Sequence, residues 1–286
     1  MAEQARELFI QTQALGELRR VLDQRRTLLA TLYARDQASL RQRFVTVSAV
    51  TTDFAAWNSA EADWRAFELQ DNQTCHALNE LLGLASDAPL RLRRAPNGHP
   101  LAATLYQSAL AMLPHRRPDL LALQAGYQNE EESLREAILA QFPLISAGIQ
   151  KARDPIENIQ YIGFNVTLTL PLFNRNRGPI AVGRASRAYL HQAYQASLDE
   201  TTNQADQVWK AVMIMQHQLK GLDQRLAGLE HDSTAARESL RRGTLSLADY
   251  TRVDSNALAT QAEEIQLRAS LEQGQAVLAM LLALPF

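Results

Sequence analysis

Leu22-Asp23-Gln24-Arg25 returns as Leu222-Asp223-Gln224-Arg225, 200 positions further on. In the same register Ser39-Leu40-Arg41 falls on Ser239-Leu240-Arg241, Thr51 on Thr251 and Gln73 on Gln273. Leu78, Leu81, Leu82 and Leu84 fall on Leu278, Leu281, Leu282 and Leu284, with no gap between residues 5 and 84. Shared composition explains isolated leucines. It does not explain a tetrapeptide held in step over so long a stretch, so the chain contains a duplication, and that decides the architecture.

The apolar rhythm says what was duplicated. Leu8, Leu15, Leu22 and Leu29 recur every seven residues, as do Val208, Met215, Leu222 and Leu229. A sustained seven-residue spacing is the seam of packed, gently supercoiled helices. Each copy then predicts a helix, a tight break and a second helix, with breaks at 43–47 and 243–247. Gly243 suits the left-handed position that ends a helix. Ser246 with Asp249 reads as a capping box opening the next helix, and Thr46 caps its copy in the same way without a carboxylate at Ala49. Helices of about 40 residues rise about 60 Å, which suits a tube or rod better than a compact core. Trp57, Trp64 and Trp209 lie within helical runs and read as packing residues.

Composition excludes several classes. The 286 residues are 46% apolar and 21% charged, enough to bury a core. A formal charge of −2 gives no electrostatic case for nucleic acid. Cys75 is the only cysteine, so neither an internal disulfide nor a cysteine zinc site can form. The six histidines never stand three or four apart, and no phosphate loop, dinucleotide fingerprint or nucleophile elbow occurs. These residues predict neither a catalytic site nor a cofactor nor a metal. No apolar run is long enough for a spanning helix, and Met1 to Glu7 has no secretory apolar core.

Between the copies the pattern changes. Pro89, Pro96, Gly98, Pro100, Pro114 and Pro118 break residues 85–118 around a short amphipathic stretch at 101–113. Arg91, Arg93 and Arg94 read there as a solvated loop. Helix is expected over 119–141, ending at Phe142-Pro143. Then Ile162, Phe164, Val166, Leu168 and Leu170 alternate with Gly163, Asn165, Thr167 and Thr169, a two-residue period. Ile145, Ala147 and Ile149 alternate likewise, so 142–174 is one strand pair, and helix restarts near Pro179. Two readings fit the alternation. A soluble hairpin would bury one face, whereas about ten alternating residues also suffice for a tilted strand in an outer membrane. Tyr161 and Phe173 flank the run where interfacial aromatics would sit.

The order of these segments resembles that of TolC-like outer membrane efflux proteins. Arg117-Pro118-Asp119-Leu120 is similar to the motif that opens the family's helix before its second strand pair. Leu170-Pro171-Leu172-Phe173-Asn174-Arg175-Asn176-Arg177-Gly178 resembles the strand-to-helix transition of the CzcC-like heavy-metal branch. Gly243-Thr244-Leu245-Ser246-Leu247-Ala248-Asp249 resembles the second periplasmic tip. The resemblance implies a mostly α fold of duplicated long antiparallel helical hairpins, with one β-hairpin of a transmembrane β-barrel. It divides the chain into a first tunnel hairpin (1–84), a belt-like insertion (85–118), a helix leading to the membrane (119–141), the β-hairpin (142–174) and a second tunnel hairpin (175–286).

The resemblance also implies a homotrimer in the outer membrane with a periplasmic extension. A membrane fusion (adaptor) protein would grip the tips at Val45, Thr46, Val47, Gly243, Thr244, Leu245 and Ser246. An inner-membrane pump of the RND type would supply the energy, and the cargo would be metal cations or drugs. Ile162, Phe164, Val166, Leu168 and Leu170 would face outer-membrane lipid. Asp249 falls where the family places acidic residues at the periplasmic aperture; a plain capping carboxylate explains it equally. The family has two strand pairs and this chain one, so about a hundred further residues are expected ahead of Met1 in the repeat register. The first tip lacks the glycine of the second. The competing reading is a soluble helical coiled-coil scaffold or adaptor whose hairpin packs on itself.

Overall fold

The computed structural model describes residues 2–90, 92–93, 101–153, 160–169 and 174–284. Seven helices and two strands follow one another among them: α1 (Ala2–Arg41), α2 (Val47–Leu81), α3 (Ala103–Ala111), α4 (Leu113–Arg116), α5 (Pro118–Leu139), β1 (Leu144–Arg153), β2 (Gln160–Thr169), α6 (Arg177–Arg241) and α7 (Leu247–Leu281). The mostly helical expectation with one β-hairpin is what the chain adopts. Arg91, Arg94, Leu170 and Phe173, singled out from the sequence, lie outside the described residues.

The duplication is written in the boundaries. α1 ends at Arg41 and α6 at Arg241; α2 runs Val47–Leu81 and α7 Leu247–Leu281. At the first tip the amide of Phe44 donates to the Ser39 carbonyl and that of Arg43 to Leu40; at the second, Thr244 donates to Ser239 and Gly243 to Leu240. At the far ends Leu84 and Gly83 donate to Asn79 and Glu80, and Leu284 and Ala283 to Ala279 and Met280. All four ends are Schellman caps, which satisfy carbonyls the helix leaves unpaired. Each needs one left-handed residue: Arg43 and Gly243 at the tips, Gly83 and Ala283 at the far ends. The absence of a glycine at the first tip therefore changes no geometry. Arg43 adopts φ 60° where Gly243 has φ 74°, a conformation that costs a non-glycine residue about 1 kcal/mol.

The chain divides into two units, residues 1–105 with 204–286, and residues 106–203. In the first unit α1 packs against both α2 and α7. Leu15, Leu18, Val21 and Leu22 of α1 meet Phe67 of α2 and Ala262 and Ile265 of α7 in one buried cluster, with Trp64 and Leu258 against it. Arg26 lies over the Trp64 ring at 4.5 Å, and Tyr33 stacks on Trp57 at 5.4 Å between centroids. Ion pairs tie α1 to α2, with Arg19 to Asp71 at 2.6 Å and Arg25 to Asp63 at 2.7 Å. α7 lies close to α6 at Gly274, where a Cβ would stand 3.0 Å from Val212 and 3.2 Å from the Met215 methyl.

In the second unit Pro118 opens α5 at a position where its missing amide costs nothing. Arg117 donates to both carboxylate oxygens of Asp119, which holds that carboxyl below its usual range. α5 lies along the first part of α6: Arg187 pairs with Glu131 at 2.8 Å, Gln124 donates to the Tyr194 hydroxyl, and Leu134 fills the space above Gly183. The turn into α6 uses two consecutive left-handed residues, Arg175 and Asn176, and the side-chain Nδ2 of Asn176 donates to the Ala137 carbonyl at 2.8 Å. β1 and β2 form a two-stranded antiparallel sheet.

Candidate functional site

Three surfaces carry the residues picked out from the sequence. The first is the pair of helix tips. Thr46 caps α2 by accepting from the Ala49 amide at 3.2 Å, and Ser246 caps α7 by accepting from Asp249 at 3.1 Å. Val45 and Leu245 are half-buried, whereas Thr46, Gly243, Thr244 and Ser246 are exposed. Exposed apolar surface is concentrated on the first tip, where Phe44 is 79% and Val47 67% exposed. Thr244 stands at the repeat position of Phe44, so the two tips share a backbone and differ in chemistry.

The second surface is the ionic network just inside the tips. Asp249 accepts from the Ser246 hydroxyl at 2.7 Å and from Arg252 at 3.0 Å. The hydroxyl, seconded by the guanidinium, holds this carboxyl below its usual range, so it stays ionised. The carboxylate thus steadies the Ser246 hydroxyl that caps α7. Asp254 accepts from Ser233 at 2.5 Å and from the Tyr250 hydroxyl at 3.0 Å, linking α7 to α6. Sequence reading missed this group, and it missed Asp36 and Asp53. These two stand almost equally far from the first tip on opposite arms of the hairpin, which in any antiparallel pair brings residues together. That symmetry was the available signal.

Asp53 is pushed up to about 6 by burial and by its hydrogen bond to Asp36, with Arg252 of α7 pulling the other way. Two carboxyls that hydrogen-bond to each other must share a proton. Because the folded value lies above the ordinary 3.8, Asp53 contributes stability fully below that value. The contribution is lost as pH rises through about 6. Asp53→Asn keeps the hydrogen bond without the proton. It is expected to raise stability near neutral pH by about 1 kcal/mol, after discounting for solvent screening. It should also flatten the pH dependence. Urea unfolding on either side of the transition measures both, and an unchanged slope in the variant would contradict the shared proton.

The third surface is the β-ribbon. Its register pairs Ile145 with Leu168, Ala147 with Val166, Ile149 with Phe164 and Lys151 with Ile162. Residues directly opposite one another share a face. One face therefore carries Ile145, Ala147, Ile149, Ile162, Phe164, Val166 and Leu168, followed at one end by Lys151, Arg153 and Gln160, and its large apolar side chains are all more than half exposed. The other carries Ser146, Gly148, Gln150, Gly163, Asn165, Thr167 and Thr169, with no charge between them. The soluble reading required the apolar face to be buried, and the fold leaves it open. The sequence placed Ile162, Phe164, Val166 and Leu168 together; the structure adds Ile145 and Ile149 to the same face.

No helix among the described residues is long and apolar enough to cross a membrane, and no group of metal-binding side chains gathers there. A family model described as outer membrane efflux protein matches residues 105–284. No curated protein sequence matches significantly. Among solved structures, a membrane protein from Pseudomonas aeruginosa is 16% identical with a TM-score of 0.74, over 99% of this chain and 66% of that one. CusC, solved in a study of folding and transmembrane channel formation, is 18% identical with a TM-score of 0.74, over 98% and 67%. The outer membrane protein VceC from Vibrio cholerae is 16% identical with a TM-score of 0.73, over 99% and 70%. The chain thus spans about two thirds of the length of the structures it resembles.

Proposed function

Since the chain belongs to the outer membrane efflux protein family, we propose that it forms part of a passive export duct. The β-ribbon is wall of a transmembrane barrel and the helical hairpins are wall of a periplasmic tunnel. The duct is a homotrimer, gripped at its tips by a membrane fusion (adaptor) protein that joins it to an inner-membrane pump of the RND type. The cargo is metal cations or drugs, the CzcC-like stretch at 170–178 favouring cations. Asp249, ionised and half exposed, contributes a carboxylate at the periplasmic aperture. No chemistry is asked of the chain, because the pump supplies the energy.

One observation carries this reading: an exposed apolar face, formed by Ile145 to Ile149 and Ile162 to Leu168 and backed by a neutral polar one, on strands of ten residues each. Ten residues suffice for a tilted strand to cross the hydrocarbon core. In lipid every backbone polar group needs a partner, so each edge of the ribbon must pair with further strands. A barrel provides that, with hydrocarbon outside and water inside.

The test uses the full chain with Cys75→Ser and a single environment-sensitive label at Val166 or Thr167. In lipid vesicles, quenching by a lipid-borne quencher is expected at Val166 and not at Thr167. A protected label at Val166 in a soluble monomer would instead support the coiled-coil scaffold and overturn the duct.

A further inference from the structure

The ribbon's apolar face does not stay apolar to its end. In β1 the same-face series runs Ile145, Ala147, Ile149, Lys151, Arg153, and the register sets Lys151 opposite Ile162 and Arg153 opposite Gln160. Two cations therefore follow one another on one side of one strand, about 7 Å apart at two residues of extended rise. Both are exposed, and Arg153 is also engaged in an interaction of its own. On the opposite face the same end of the ribbon carries Gln150 and Ala152. The charge is thus on the apolar side, where chance placement would be least tolerated.

Resting on the duct reading, we propose that Lys151 and Arg153 form a cationic rim on the lipid-facing side of the barrel wall that binds the phosphate groups of lipid headgroups. Position argues for it. A cation on the outer face of a membrane barrel is strongly disfavoured at the midplane and costs close to nothing at the interface. Two in succession therefore fix this end of the ribbon at the headgroup level. From Leu168 to Ile162 the apolar series covers about 20 Å along the strand, which at a tilt of about 40° spans about 15 Å of an apolar band about 25 Å tall. Lys151, opposite Ile162, closes that series at one end. Its alkyl stem can lie along Ile149 and Ile162 while its ammonium reaches outward. Phosphate is the anion present at that depth. The stretch 154–159, outside the described residues, carries Asp154 and Glu157 in sequence.

The chain has three lysines, Lys151, Lys210 and Lys220, so isotope-labelled lysine gives an assignable amine signal. The full chain is reconstituted in vesicles of phosphatidylcholine and in vesicles of phosphatidylcholine with phosphatidylglycerol. Solid-state NMR is expected to show one lysine amine nitrogen dephased by lipid phosphorus, and Lys151→Gln to remove that signal. Partition into the anionic vesicles should fall about fivefold for Lys151→Gln and again for Arg153→Gln, with little change on the neutral ones, and Lys151→Arg should restore it. If the label at Val166 is quenched by lipid while no amine meets phosphorus and the variants partition as the parent does, the rim is wrong and the duct stands. If Val166 is not reached by lipid at all, both fall.

Discussion

Arginine in place of Val166 is expected to cost about 2–4 kcal/mol of membrane insertion, whereas arginine in place of Thr167 costs about 1 kcal/mol or less. The two positions are neighbours in β2, and a strand turns successive side chains to opposite faces. Val166 is 72% exposed, pairs with Ala147, and shares its face with Phe164 and Leu168. Thr167 pairs with Ser146 on the neutral face. An exposed valine on a soluble protein accepts arginine with almost no penalty. The same valine in hydrocarbon must desolvate a charge that cannot pair. The contrast between neighbours therefore reads the solvent and not the fold. The fraction of chain inserted into vesicles, titrated against urea and read by protection from protease, measures it for each variant. Equal effects at the two positions would mean that the apolar face meets water or protein, and the duct would have to be abandoned.

Much of this was legible before any coordinates, and the reason differs from element to element. The repeat fixed four helix boundaries, because caps depend on short local stretches and both copies kept them. Seven-residue leucine spacing located the seam, since burial selects for it directly: Leu15, Leu22 and Leu29 are all buried. Alternation gave the ribbon its faces, and only the register added that Ile145 and Ile149 stand with Phe164 and Leu168. What stayed hidden was conformational or long-range. Arg43 could not be foreseen as left-handed, because sequence reading assigns that state to glycine and a cap can hold an arginine there at modest cost. Asp36 with Asp53, and Ser233 with Asp254, required pairing the arms of a hairpin about its turn. Lys151 and Arg153 gained a meaning only once the register gave their face.

Leu222→Ala should be among the most damaging truncations in the helices, at about 3 kcal/mol. The side chain is 1% exposed, so its removal loses transfer energy and leaves a cavity that two long helices cannot close without shifting along their whole length. Ile214→Ala, in the same helix but 58% exposed, should change stability by about 0.5 kcal/mol or less. Leu22→Ala, at the matching place in the other copy and 7% exposed, should fall just below Leu222. The pair also tests how the copies are joined. Leu22 belongs to the cluster that α1 builds with α2 and α7, and Leu222 is not among its members. Residues without shared partners have additive effects within about 0.5 kcal/mol. The double variant should therefore lose close to the sum of the two single losses in urea unfolding. A coupling well above that would show that Leu22 and Leu222 share packing partners.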